Sequence, residues 1–195
     1  GVGLAEKVYL VYPDIDSFHG LPYHSGIASL AAVLKEQGYK VKVKCVTSES
    51  QYDEVVREVL EFQPAVVGFT TVETQFGHVQ EMAALVKVKH PCITVVRGTH
   101  ITLWPQALLE KDSVGLDCGM RGECEHPFAE LIRNVKKGED YHSVDNVCYR
   151  DPKTEELVQN PLRPLDPDLT NMPQPATEVF DYQGIIDRDH MAVFH

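Results

Sequence analysis

A glycine, two hydroxyls and an imidazole fall within one short stretch, Gly98-Thr99-His100-Ile101-Thr102. It follows a β-prone run, Ile93 to Arg97, which predicts a buried strand entering a glycine turn. A glycine there lets backbone approach a ligand closely, the threonines offer hydroxyls, and the histidine offers two ring nitrogens. A second hydroxyl cluster, Thr70, Thr71 and Thr74, follows the apolar run Ala65 to Phe69, and a further turn holds Gly122 and Glu123. Taken singly, each stretch is equally an ordinary strand-to-helix turn, with threonines capping helices and a carboxylate at a helix start. Taken together, they form a lining suited to a large, flat, polar-edged ligand with a nucleotide-like tail.

Other chemistries lack their residues. No G-x4-G-K-[ST] loop, no G-x-G-x-x-G after a strand and no G-x-S-x-G elbow is present. The end of the third strand reads Phe69-Thr70-Thr71, without the aspartate of a phosphoacceptor pocket. A net charge of -11 argues against a nucleic-acid partner, which needs clustered lysine and arginine. The five cysteines form no C-x2-C pair, so they read as buried thiols in a reducing compartment, and a cytoplasmic location is expected. No run of about 18 apolar residues is present to span a membrane.

The elements that must carry these residues alternate strand and helix. Val8 to Tyr12 and Ala65 to Phe69 are continuous β-prone, largely apolar runs, and Ile93 to Arg97 reads as a buried strand as well, as central parallel strands do. Lys40 to Lys44 alternates lysine and valine, and Val114, Leu116 and Cys118 alternate as well, so both predict edge strands. Helical stripes fall at Ile27 to Leu34, closed by Gly38, and at Tyr52 to Leu60, with Ser50 as its cap. Others run from Phe76 to Val86, from Trp104 to Leu109, and from Pro127 to Val135, closed by Gly138. The result is a doubly wound α/β fold of flavodoxin-like type, a five-stranded parallel sheet in the order 2-1-3-4-5. Ligands of such sheets settle outside the carboxyl ends of the strands, near the switch between strands one and three. Residues 1–140 form this domain; residues 141–195 are expected to be a small hairpin, Asn146 to Arg150 with Glu156 to Gln159, then a proline-rich linker.

Three stretches carry a family resemblance: Leu21-Pro22-Tyr23-His24-Ser25-Gly26-Ile27 running on to Leu34, Gly98-Thr99-His100-Ile101-Thr102, and Arg121-Gly122-Glu123-Cys124-Glu125. In order and spacing they resemble the amino-terminal cobalamin-binding domain of cobalamin-dependent radical S-adenosylmethionine enzymes. The family pattern is roughly P-x-G-[IL]-x-x-L-A-A-x-L, G-G-x-H-x-[ST] and G-E-G-E. The tail, Asn160-Pro161-Leu162-Arg163-Pro164 with Asp168-Leu169 and Met172-Pro173, resembles that family's linker into its radical domain. The subgroup of the anaerobic Mg-protoporphyrin monomethyl ester cyclase is one match, and methyltransferases are another. Two positions depart from the pattern: Arg97 replaces the first glycine of G-G-x-H, and Cys124 replaces the second glycine of G-E-G-E.

The resemblance implies cobalamin contacts at Pro13, Asp14, Pro22, Gly26, Thr70, Thr71, Val72, Thr74, Gly98, Thr99, His100, Thr102, Gly122 and Glu123. The threonines would bond the nucleotide tail, Glu123 a ribose hydroxyl, and the first loop, through Phe18, Leu21 and Pro22, would face the corrin. It further implies a partner, the radical S-adenosylmethionine domain of the same full-length chain, which would hold the 4Fe-4S cluster and S-adenosylmethionine. The C-x3-C-x2-C cluster motif is absent, so the sequence is expected to stop just before it, after a last strand at Met191 to Phe194. No protein imidazole is expected on cobalt, because the first loop, Asp14-Ile15-Asp16-Ser17-Phe18-His19-Gly20, lacks D-x-H-x-x-G. His19 and His24 read as loop histidines, and Trp104 as a helix-packing residue. The competing function is a flavodoxin-like interaction or regulatory domain without a cofactor.

Overall fold

The computed structural model describes residues 7–17 and 25–165. Five parallel strands, β1 (Lys7–Pro13), β2 (Lys40–Val46), β3 (Val66–Thr70), β4 (Ile93–Arg97) and β5 (Cys118–Met120), lie in the order β2-β1-β3-β4-β5. That is the expected α/β arrangement. Continuous apolar runs make β1, β3 and β4 the central strands, because both faces of a doubly wound sheet are covered by helices. The helices are α1 (Ser25–Glu36), α2 (Tyr52–Phe62), α3 (Phe76–Lys89), α4 (Thr99–Leu103) and α5 (Glu125–Lys137). One core, with Leu10, Leu30, Val95, Phe128 and Leu131, lies between the sheet and α1 with α5. The other, with Tyr9, Val55, Phe69, Val79 and Val96, lies under α2 and α3.

The expected hairpin is present as β6 (Val147–Arg150) and β7 (Leu157–Gln159), and it extends the sheet to seven strands. β6 pairs antiparallel with β5, so β5 is not an edge, contrary to the reading of its alternation. The alternation of Val114, Leu116 and Cys118 belongs to a turn before a short strand. Val114 is 71% exposed, and Gly115 packs against the backbone of Ala84 on α3. β2 is an edge, with three lysines along it that discourage pairing to another chain.

Other boundaries shift for local reasons. Ser48, not Ser50, caps the turn before α2, in a capping box with Gln51. α5 begins at Glu125, two residues before Pro127 (Glu125, His126, then Pro127), which a first helical turn tolerates. The Trp104–Leu109 helix is replaced by α4 at Thr99–Leu103 and a separate 3-10 turn at Pro105–Leu109, so Trp104 lies between them and is 54% exposed. Among the described residues, no helix is long and apolar enough to cross a membrane. The Pro-rich segment beyond Leu165 and the strand expected at Met191 to Phe194 lie outside the described residues.

Candidate functional site

The loops leaving the carboxyl ends of the parallel strands are joined into one rim. Thr71 donates its N–H to the Arg97 carbonyl at 2.9 Å, which fixes the loop after β3 to the end of β4. Gly98 then passes so close to Thr71 that an added Cβ would lie 2.3 Å from the Thr71 carbonyl oxygen. Its φ of 118° is also outside the range of ordinary L-residues. Farther along, the Thr102 hydroxyl accepts the Gly122 N–H at 2.9 Å, and the Arg121 guanidinium donates to the Thr102 carbonyl. On the other side, the Gln75 side chain accepts the Ile15 N–H and donates to the Ile15 carbonyl, both at 2.9 Å. One amide thereby ties the loop after β1 to the loop after β3.

The expected site residues distribute along this rim. Pro13 is buried at the end of β1, and Asp14 is half-buried, donating its N–H to the Val46 carbonyl. Gly26 is half-buried in the first turn of α1, and Pro22 lies outside the described residues. Thr70 and Thr71 are buried; the Thr70 hydroxyl accepts from Arg97, and the Thr71 hydroxyl bonds the Val72 carbonyl. Neither hydroxyl caps a helix. Val72, Thr74, Thr99 and Glu123 are exposed, while Gly98, His100, Thr102 and Gly122 are half-buried. His100 places its ring 4.9 Å from that of Phe76, which fixes its orientation. His19 and His24 lie outside the described residues.

An open cavity of about 520 Å³ flanks the rim on the α3 side, lined by Glu73, Thr99, His100, Leu103, Trp104 and Glu110. On the α1 and α5 side the rim is closed by a buried cation. Arg97 donates from Nε to the Cys124 sulfur and from Nη1 to the Thr70 hydroxyl, each at 3.2 Å. Burial opposes the Arg97 charge, and Cys124, Glu125 and Glu123 more than offset this, so its pKa lies above the ordinary arginine value. Burial pushes the Cys124 thiol up, against the pull of Arg97.

Two residues that the sequence reading did not place at the site organise the rim. One is Gln75. The other is Asn146, whose side-chain amide donates to the Arg121 carbonyl at 2.8 Å and the Glu123 carbonyl at 3.1 Å. Its Oδ1 accepts the Arg163 N–H at 2.8 Å, and Arg163 pairs with Glu130 and Asp145. The segment after β7 is therefore tied back to the loop after β5. Bonds from a side chain to distant backbone have no periodicity; the one local sign was an Asn just before a strand, a residue type that tolerates the φ of 71° found there.

Comparison with known proteins agrees with this architecture. The chain is 29% identical over 170 residues to cytidylyl-2-hydroxyethylphosphonate methyltransferase of Streptomyces wedmorensis, covering 75% of this chain and 32% of that relative. It thus spans about a third of that relative's length. In fold it is similar to the cobalamin-dependent S-adenosylmethionine radical enzyme OxsB, solved with aqua-cobalamin and S-adenosylmethionine bound. There the TM-score is 0.78 at 20% identity, over 94% of this chain and 25% of that one. It is also similar to the radical S-adenosylmethionine methyltransferase TsrM of Kitasatospora setae, solved with cobalamin and a [4Fe-4S] cluster bound. There the TM-score is 0.67 at 21% identity, over 87% of this chain and 31% of that one. The B12 binding domain model matches residues 13–132, a span that runs from the last residue of β1 through β5 and takes in every described residue of the rim from Pro13 to Glu123, and the protein belongs to that family.

Proposed function

We propose that the rim binds cobalamin and that the chain is the cobalamin-binding module of a radical S-adenosylmethionine enzyme. In the whole protein the reaction would be methyl transfer or oxidative cyclisation. What carries the reading is the joining of the loops after β1, β3, β4 and β5 into one continuous surface at the ligand edge of the sheet.

The residues fit the group. The 520 Å³ cavity is far smaller than a corrin with its side chains, so it would seat one edge and leave the other face open. Gly98 and Gly122 keep backbone accessible, Thr99 and Thr102 line the loop after β4, and the described residues accept from the buried guanidinium of Arg97 only at Nε and Nη1. Bound cobalamin would supply a cobalt centre able to carry a methyl group or exchange electrons. The 4Fe-4S cluster and S-adenosylmethionine are assigned to a radical domain of the same full-length chain. Equilibrium dialysis against hydroxocobalamin should leave about one corrinoid per protein. No retention at concentrations far above cellular levels would reject the reading in favour of a cofactor-free regulatory domain.

The cobalt is proposed to carry no protein nitrogen. The first loop has Ile15-Asp16 after Asp14 where D-x-H would put an imidazole, and the His100 ring packs on Phe76. An imidazole without an orienting carboxylate is a poorly fixed ligand. Electron paramagnetic resonance of the bound cobalt(II) form should lack nitrogen splitting that depends on protein histidines. Threefold splitting lost on His19→Ala or His24→Ala would overturn the assignment.

A further inference from the structure

The two departures from the family pattern touch each other. Arg97 and Cys124 stand where the resembled pattern has glycines, and Arg97 Nε lies 3.2 Å from Cys124 Sγ. Arg97 is only 7% exposed, and Cys124 is fully buried. Arg97 is the last residue of β4, in register with Thr70 on β3 and Met120 on β5, so its side chain faces α1 and α5. Thr70 and Cys124 fix its plane from two sides.

Neither direct partner is a carboxylate. Among the described residues, Arg97 has no carboxylate within ion-pair distance; Glu123 and Glu125 act on it only from farther away. A cation withdrawn from water is costly unless it is paired and its donors are met. The described residues take one proton from Nε and one from Nη1, and none of them accepts from the two donors of Nη2 or the second of Nη1. Two adjacent N–H groups of a guanidinium match two oxygens of a phosphate.

We propose that Arg97 anchors the phosphate of the corrinoid's nucleotide tail, so that this domain selects corrinoids by that group. The inference rests on the cobalamin reading above. It assigns a recognition role to a residue that, by size alone, would only fill space left by a glycine.

The test compares three corrinoids on the full chain: hydroxocobalamin, cobinamide phosphate and cobinamide, which lacks the phosphate. Cobinamide phosphate should bind the unaltered protein about tenfold more tightly than cobinamide, the worth of one charge-assisted hydrogen-bonded contact. Arg97→Gln should raise the Kd of hydroxocobalamin and of cobinamide phosphate about tenfold and leave cobinamide unchanged. Arg97→Lys, which keeps charge but loses the fork, should fall between. Equal binding of cobinamide and its phosphate by the unaltered protein overturns the proposal without any variant. So does tighter hydroxocobalamin binding by Arg97→Gln, which would mean that the side chain obstructs. If none of the corrinoids binds the unaltered protein, the cobalamin reading itself fails, and this inference with it.

Discussion

Gly98→Ala should lower stability by about 4 kcal/mol, with a fall in Tm of about 10 °C and loss of cobalamin retention. Two independent effects combine. The backbone at Gly98 has φ 118° and ψ -178°, where a Cβ is strained even in open space. Space is not open: the new Cβ would meet the Thr71 carbonyl oxygen at 2.3 Å and the Thr71 nitrogen at 3.0 Å. Those are backbone atoms, held by the Thr71 to Arg97 hydrogen bond, so they cannot rotate aside. Relief requires the loop after β3 to move away from β4, which opens the rim. Gly38→Ala is the internal control. Its φ is also positive, at 91°, but nothing lies within 4 Å of the added carbon, so a loss of only about 1 kcal/mol is expected. Thermal melts of both variants decide the matter; equal shifts would show that the contact with Thr71 is not what makes Gly98 necessary.

Asn146→Ala should cost about 3 kcal/mol. The residue is 1% exposed, and its amide serves the carbonyls of Arg121 and Glu123 and the N–H of Arg163. Deleting it leaves those groups without a partner, each costing about 1 kcal/mol or more. Alanine would also have to hold φ near 71°, which asparagine tolerates better. Asn146→Gly separates the terms, because it removes the amide without the strain and should recover about 1 kcal/mol relative to alanine. Urea denaturation gives the free energies. Hydrogen exchange should show faster opening at residues 121–123 in both variants. Unchanged protection there would mean that the bonds of Arg121 and Gly122 to Thr102, with the Arg121 N–H to the Asn146 carbonyl, hold the turn without the side-chain amide.

The sheet was legible because burial writes itself into strand sequences. Val8 to Leu10 and Val66 to Phe69 are dominated by apolar side chains on both faces and Ile93 to Val96 by apolar ones with a single threonine, while the lysines of Lys40 to Lys44 mark the one true edge among the first five strands. β5 misled because three alternating residues satisfy a strand and a turn equally well. What separates them is the packing of Gly115 on α3, a contact between residues about thirty positions apart in sequence. The rim divides the same way. Its glycines and hydroxyls sit next to strand ends and could be listed by position. The bonds that join them could not: Gln75 reaches Ile15, and Asn146 reaches Arg121, through side chains with no repeating pattern. Arg97 and Cys124 were visible as departures from a pattern; that they are one paired feature emerges only when β4 and the start of α5 are brought together.

Trp104 is the only tryptophan in the chain, and it stands at the wall of the cavity beside Thr99 and His100. All indole fluorescence of these 195 residues therefore originates at the rim. It is half-exposed, so its emission colour responds to what displaces water from that wall. A corrin absorbs in the near ultraviolet, where indole emits, and one seated against this side chain would quench it by energy transfer. Within these 195 residues the unlabelled chain thus carries its own optical reporter of occupancy, with no second tryptophan to add background.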